Sequence, residues 1–336
     1  MKRMAWMVLL FASGPAFGQT IQQQVDACAQ LSICKLDVPS GVTVVNQPWN
    51  LRDKTALSIK GQAGATVIWH FASDPPPTLC IDTTGTRDIH IDSVTFSLGN
   101  TSKRPDVLWI HGRGADGKSQ TRLAVEGCQF SGWFTRATVA FIAVENEELH
   151  SVGFTNNLPN TTALFLSRSN ELGLTSPFGP TRTGATFTST NHSYYNCSFN
   201  HAGHVGLVAP ANNDGGFGLT LGTGVHDLLI QGGSTSGGPR GGVLHILGPT
   251  NRRVVVAAPN WESQNALSTI VIDGEVAGLA VYGGLLQALG PAVRVNGAVE
   301  HLTLQPAEML TEDIIRFGPT GKVTGRGLSA WGVSGQ

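Results

Sequence analysis

A chain of 336 residues with only 13% charged side chains, 22 basic against 23 acidic, has a formal net charge of −1 and no basic run. That balance argues against nucleic acid or an anionic membrane surface as the main partner. Glycine, at 42 residues without a collagen period, points to many turns, and no segment after residue 18 is long and apolar enough to predict a membrane span.

Residues 1–18 read as a secretory signal peptide. Lys2 and Arg3 give a positive start, Ala5 to Ala12 an apolar stretch, and Ala16-Phe17-Gly18 a small-x-small processing site. Residues 19–35 follow as a capping segment, in which Ile21, Val25, Cys28 and Leu31 stand at near-helical spacing. A single amphipathic helix there would close the open end of a repetitive core. From residue 36 to residue 336 the chain reads as one domain of short strands broken by Gly, Pro, Asn, Asp and Ser. Thr66-Val67-Ile68-Trp69, Val139-Ala140-Phe141-Ile142 and Thr269-Ile270-Val271-Ile272 are examples. No interior stretch holds a helical period over three turns, which disfavours α/β architectures. Hairpin pairs are few: Asp116-Gly117, Asp214-Gly215, Asp273-Gly274 and Asn296-Gly297.

One phrase returns along these strands. Val125-Glu126-Gly127-Cys128-Gln129-Phe130 has counterparts in Asp92-Ser93-Val94-Thr95-Phe96, Ser151-Val152-Gly153-Phe154 and Tyr195-Asn196-Cys197-Ser198-Phe199. A strand-plus-turn unit that cannot bury a face alone, repeated, predicts a solenoid: an all-β, right-handed parallel β-helix. Val94, Cys128, Val152 and Cys197 should form one inward column, and Phe96, Phe130, Phe154 and Phe199 a second. The uneven intervals, 34, 24 and 45 residues between successive phenylalanines, mark bulging loops or an extra coil.

The environment permits disulfides if the chain is exported. Cys28 and Cys34 are close in sequence and should pair, whereas Cys80, Cys128 and Cys197 should stay thiols. With a coil between them, Cys128 and Cys197 would lie about 9.6 Å apart, beyond the roughly 7 Å reach of a disulfide.

The chain resembles the pectate-lyase-like superfamily of right-handed parallel β-helix proteins. The resemblance rests on the opening helix with Leu36-Asp37-Val38-Pro39-Ser40-Gly41, on Ile81-Asp82-Thr83-Thr84-Gly85 leading into Ile89-His90-Ile91-Asp92, and on the repeated turns. It implies a polysaccharide partner. Two catalytic phrases depart from those of well-known members. Gly203-His204-Val205-Gly206 lacks the glycine and aspartates of a polygalacturonase, and Leu108-Trp109-Ile110-His111 lacks the calcium-holding aspartate of a pectate lyase.

The residues themselves offer three candidate sites. The position four before each phenylalanine holds Asp92, Glu126, His150 and Tyr195, with Gln231 and Asp273 in a comparable place. Stacked in register, Asp92 and Glu126 would stand about 5 Å apart, the spacing of retaining glycosidase carboxylates, with His150 as general acid or base. The plainer reading is that solenoid turns need outward polar residues. Glu145, Glu147 and Glu148 form the densest acidic run and the candidate Ca²⁺ ligands. Arg113, Arg168 and Arg240, with Tyr195, are the candidate sugar-binding residues, since planar bidentate donors suit uronate carboxylates. The expected function is an exported polysaccharide-binding β-helix, acting as a lyase or glycoside hydrolase if it is an enzyme. Its rival is a non-catalytic adhesive solenoid that recognises glycans.

Overall fold

A computed structural model describes residues 20–29, 31–99, 103–113, 122–158, 160–179, 189–201, 216–235, 241–262 and 267–330. One coil shows the plan. Asp88–Asp92 lies in wall A, the chain turns at Ser93, Thr95–Leu98 lies in wall B, Val107–Gly112 lies in wall C, and Arg122–Glu126 returns to wall A one step on. Every strand pairing is parallel, with strand n beside its counterpart in the next coil. Among the described residues wall A has twelve strands, wall C ten, and wall B a run of six followed by a run of four. The architecture is a right-handed parallel β-helix with one N-terminal helix, as the repeat predicts.

The inward columns form as expected. Val94, Cys128, Val152 and Cys197 are all buried. The four phenylalanines stack in pairs, with ring centroids 5.3, 5.5 and 5.9 Å apart and interplanar angles of 15°, 9° and 4°. Such stacks add about 0.5–1.5 kcal/mol per pair beyond area burial. The phrase turns a sharp corner each time because its turn residue adopts a left-handed conformation: Ser93 (φ 57°), Gly127 (60°), Ser151 (54°) and Asn196 (52°). Phe154 pairs directly with Phe199, so the 45-residue interval holds a single coil and its excess is loop.

The helix Ile21–Cys28 caps wall A. Thr20 accepts from the Gln23 amide while the Gln23 side chain accepts from the Thr20 amide, a reciprocal cap. Gln24 accepts from the Asp37 amide at 2.9 Å and donates to its carbonyl at 3.3 Å. Its carboxamide thus satisfies part of the edge of Ile33–Val38, the first strand of the wall. Leu31 does not join the apolar face; the helix has ended and Leu31 is 52% exposed.

Cys28 and Cys34 are disulfide-bonded, and Cys80, Cys128 and Cys197 are buried thiols. Burial pushes Cys128 and Cys197 up to about 12. Alkylation of the native protein should therefore label none of the three thiols, while reducing the Cys28–Cys34 bridge should cost about 2–3 kcal/mol of stability. Rapid labelling of Cys128 without denaturant would contradict the packing.

Candidate functional site

On the outer face of wall A, Lys60, Asp92, Glu126, His150, Tyr195 and Gln231 follow one another in strand register. The column is real and faces outward. Asp92 accepts from Ser93 Oγ at 2.6 Å, His150 Nε2 lies 2.7 Å from Glu148 Oε1, and the His150 and Tyr195 rings stack at 4.7 Å and 15°. Asp273 does not belong to it. That residue follows Ile270–Ile272 in wall C, because its Asp-Gly pair is a corner between walls C and A rather than a hairpin.

The acidic run separates. Asn146 takes a left-handed conformation (φ 59°), which re-aims its neighbours as a bulge does. Glu145 pairs with Arg113, Glu148 with His150, and Glu147 turns into the core. The three carboxylates do not converge on one ion, and among the described residues no group of three His, Cys, Asp or Glu is placed to hold a metal. Nor do the candidate sugar-binding residues meet. Arg113 is buried against Glu145, Arg168 lies along Gly224 at the corner after wall C, Tyr195 is on wall A, and Arg240 lies outside the described residues. His111 of the Trp-Ile-His phrase is also inward, 2.9 Å from Thr83 Oγ1.

Glu147 is instead part of a buried polar group. His192 Nδ1 is 3.0 Å from its Oε2, Tyr194 donates to the same oxygen at 3.1 Å, and Ser189 Oγ lies 3.1 Å from His192 Nε2. Its other oxygen, Oε1, is buried without a partner. Burial pushes the Glu147 carboxyl above the ordinary range, and the hydrogen bond and charge of His192 oppose it. A raised folded-state value contributes stability at pH below the unfolded value, and that contribution is lost as pH rises through the folded one. Glu147→Gln keeps an acceptor for Tyr194 and removes the titration. Its stability relative to the natural protein should therefore improve as pH rises from the acid range, in denaturant unfolding at several pH values. A difference independent of pH would contradict this assignment.

Wall C holds the other concentration of chemistry. Its strands Leu79–Asp82, Val107–Gly112, Ala137–Ile142 and Thr162–Ser167 are buried on both faces. The outer face there is covered by residues 168–179, whose Leu172, Leu174 and Phe178 pack on Val107, Ile110, Ala140, Ile142 and Phe165. This strap is pinned at its far end. Arg52 Nη1 donates at 2.9 Å both to Asp82 Oδ2 and to the Gly179 carbonyl, Ser176 donates to the same Asp82 oxygen, and Thr78 donates to the Thr175 carbonyl at 2.9 Å.

Further along wall C, Thr220, His245, Val271, Arg294 and Arg316 form the outward column. The first three are 4–7% exposed, whereas both arginines are exposed. The arginines line a cleft of about 490 Å³ with Leu267, Leu289, Glu312 and Phe317. His245 Nε2 donates to Asp273 Oδ2 at 2.9 Å and its ring stacks on Phe217 at 3.9 Å. Asn296 Nδ2 donates to Asp273 Oδ1 at 2.6 Å, and Asn296 Oδ1 accepts from Arg294 Nε at 3.3 Å. The hydrogen bond from His245, helped by Asn296 and by the charges of His245 and Arg294, holds the Asp273 carboxyl below the ordinary range. The relay ties Arg294 to Asp273 and His245 through its Nε. Arg316 is shared with Asp313 at 2.5 Å and Glu312 at 3.4 Å. His245 does not line the cleft itself; it backs the relay that positions Arg294.

None of the candidate residues read from the sequence lines this cleft. A usable signal was present in the corner glycines Gly222, Gly248, Gly274 and Gly297. A Cβ at Gly248, Gly274 or Gly297 would come within 1.9–2.4 Å of the preceding coil's backbone. His245, Val271 and Arg294 each stand three residues before one of these glycines, Gly248, Gly274 and Gly297, which puts them on one column.

No protein-family model and no curated protein matches the chain. Among solved structures it is similar to the A-module of the Azotobacter vinelandii mannuronan C-5 epimerase AlgE4, at 12% identity and TM-score 0.39 over 91% of this chain and 95% of that one. It is likewise similar to the A-module of the AlgE6 epimerase of the same organism, at 14% identity and TM-score 0.41 over 93% and 95%. No helix among the described residues is long and apolar enough to cross a membrane.

Proposed function

We propose that this protein is an exported β-helix that binds an acidic polysaccharide in the cleft on wall C, with Arg294 and Arg316 taking carboxylates. The observation that carries the reading is the pair of exposed guanidinium groups on one outward column, in successive coils, bordering a cleft of about 490 Å³. That volume lies in the range of small-ligand sites. Guanidinium forks match carboxylate geometry, and Phe317 offers an apolar surface for a sugar ring. An arginine-lined cleft with an aromatic favours a polysaccharide-modifying enzyme over a flat adhesive surface. Export rests on the layout of residues 1–18.

A second reading places chemistry on wall A. It is favoured by the in-register column that sets Asp92 beside Glu126 and Glu126 beside His150. There the carboxylates would act as acid and base and the Tyr195 ring would support a sugar. One experiment tests both readings. The protein is offered a panel of acidic and neutral polysaccharides and followed by binding, by the ultraviolet absorbance of unsaturated uronates, and by new reducing ends. Binding restricted to uronate polymers and lost in Arg294→Gln supports the wall C cleft. Activity that survives Arg294→Gln but falls at least about 10²-fold in Glu126→Gln supports wall A. Binding to none of the panel rejects both.

A further inference from the structure

After its first, two-residue strand Trp49–Asn50, wall C is closed along most of its length and opens again toward its last described strands. In the seven consecutive strands from Leu79–Asp82 to Ile270–Ile272, every residue but Phe217 is buried. Those strands span six steps of about 4.8 Å, roughly 29 Å along the helix axis. Outward exposure begins at Arg294 in Val293–Val295 and continues at Arg316 in Ile315–Phe317, the last strand of the wall among the described residues.

The closure over the first four of these strands is built in. Leu172, Leu174 and Phe178 of the strap share an apolar cluster with Leu79, Val107, Ile110 and Phe165. The strap's far end is fixed by the buried Arg52–Asp82 ion pair, whose side chains are 8% and 0% exposed. Asn170 holds its near end, donating to the Leu174 carbonyl at 2.7 Å and accepting from the Leu174 amide at 2.9 Å. Uncovering the wall would expose that apolar area and separate a desolvated ion pair, so the cover is a permanent part of the fold.

A polymer following the two arginines toward the N-terminal end of wall C meets buried residues one coil beyond Arg294, at Val271, then His245 and Thr220. In the opposite direction lies Ile315–Phe317, the last described strand of the wall, where Arg316 is exposed. Resting on the proposed acidic-polysaccharide reading, we infer that the cleft is a terminal subsite: it takes the end of a uronate chain, not its interior.

The stoichiometry of binding tests this. The full-length protein is titrated, by calorimetry and sedimentation, with oligouronates and with long polyuronate whose chain number is known. The inference expects a fixed number of proteins per chain, the same for short and long chains at equal concentration of chain ends. Bulky fluorophores on both termini should weaken binding by about tenfold or more, because the closed wall leaves no room for them. Protein bound in proportion to chain length, with end-labelling harmless, overturns the terminal subsite and leaves the acidic-polysaccharide reading standing. Absence of binding to chains of every length overturns both.

Discussion

Phe154→Ala should destabilise the protein by about 3–5 kcal/mol, the usual cost of truncating a buried aromatic ring. Its ring sits between Phe130 at 5.5 Å and Phe199 at 5.9 Å, with both interplanar angles under 10°. The substitution therefore opens a cavity that two coils share. In a solenoid each repeat is held by its neighbours, so loss of two ring contacts weakens two coil interfaces at once. Thr155→Ala, one residue on and facing the other way, should stay within about 0.5 kcal/mol. Denaturant unfolding of the two variants measures the contrast. Equal, small effects would contradict the ring column as the continuous support of the middle coils.

Arg294→Gln should weaken binding of a uronate polymer by about ten- to a hundredfold, since hydrogen bonds to charged groups contribute about 1.5–3 kcal/mol. Arg316→Gln should cost less. Arg316 already shares its guanidinium with Asp313 and Glu312, whereas Arg294 is held through Nε by Asn296. Asp273→Asn tests the relay: it should weaken binding by releasing Asn296 and hence Arg294, with His245 left without its carboxylate. Arg294→Gln binding as tightly as the natural protein would remove the cleft from the account.

The parts of this fold that are legible in the sequence are those governed by short, repeated offsets. The Val/Cys and Phe positions of the turn phrase have fixed local spacing, so their stacking follows once the repeat is seen. The outward column of Asp92, Glu126, His150 and Tyr195 shares that register for the same reason. Cys28 and Cys34 are near neighbours and pair. The strap has no such period. Its anchors join Arg52 to Gly179 and Asp82 to Ser176, contacts separated by 127 and 94 residues. Nothing in the local pattern of residues 168–179 announces which wall they cover.

The acidic run misled for a local reason. Alternation alone would turn Glu145 and Glu147 to the same side, but the left-handed Asn146 breaks the alternation, leaving Glu147 inside and Glu145 on Arg113. Similarly, Asp273-Gly274 and Asn296-Gly297 look like hairpin turns in isolation. Only as successive rungs, each glycine lying against the backbone of the coil before, do they read as the corner that orders Asp273, Asn296 and Arg294.

The central claim, that the cleft reads carboxylates through Arg294 and Arg316, is tested most directly by one paired titration. The protein is titrated with a polyuronate and with the same polymer after its carboxyl groups have been reduced to alcohols. The account predicts binding to the acidic polymer that weakens as salt rises, because exposed charges are screened over about 8 Å at physiological ionic strength, and loss of binding to the reduced polymer. Equal affinity for the two polymers, unaffected by salt, would contradict it.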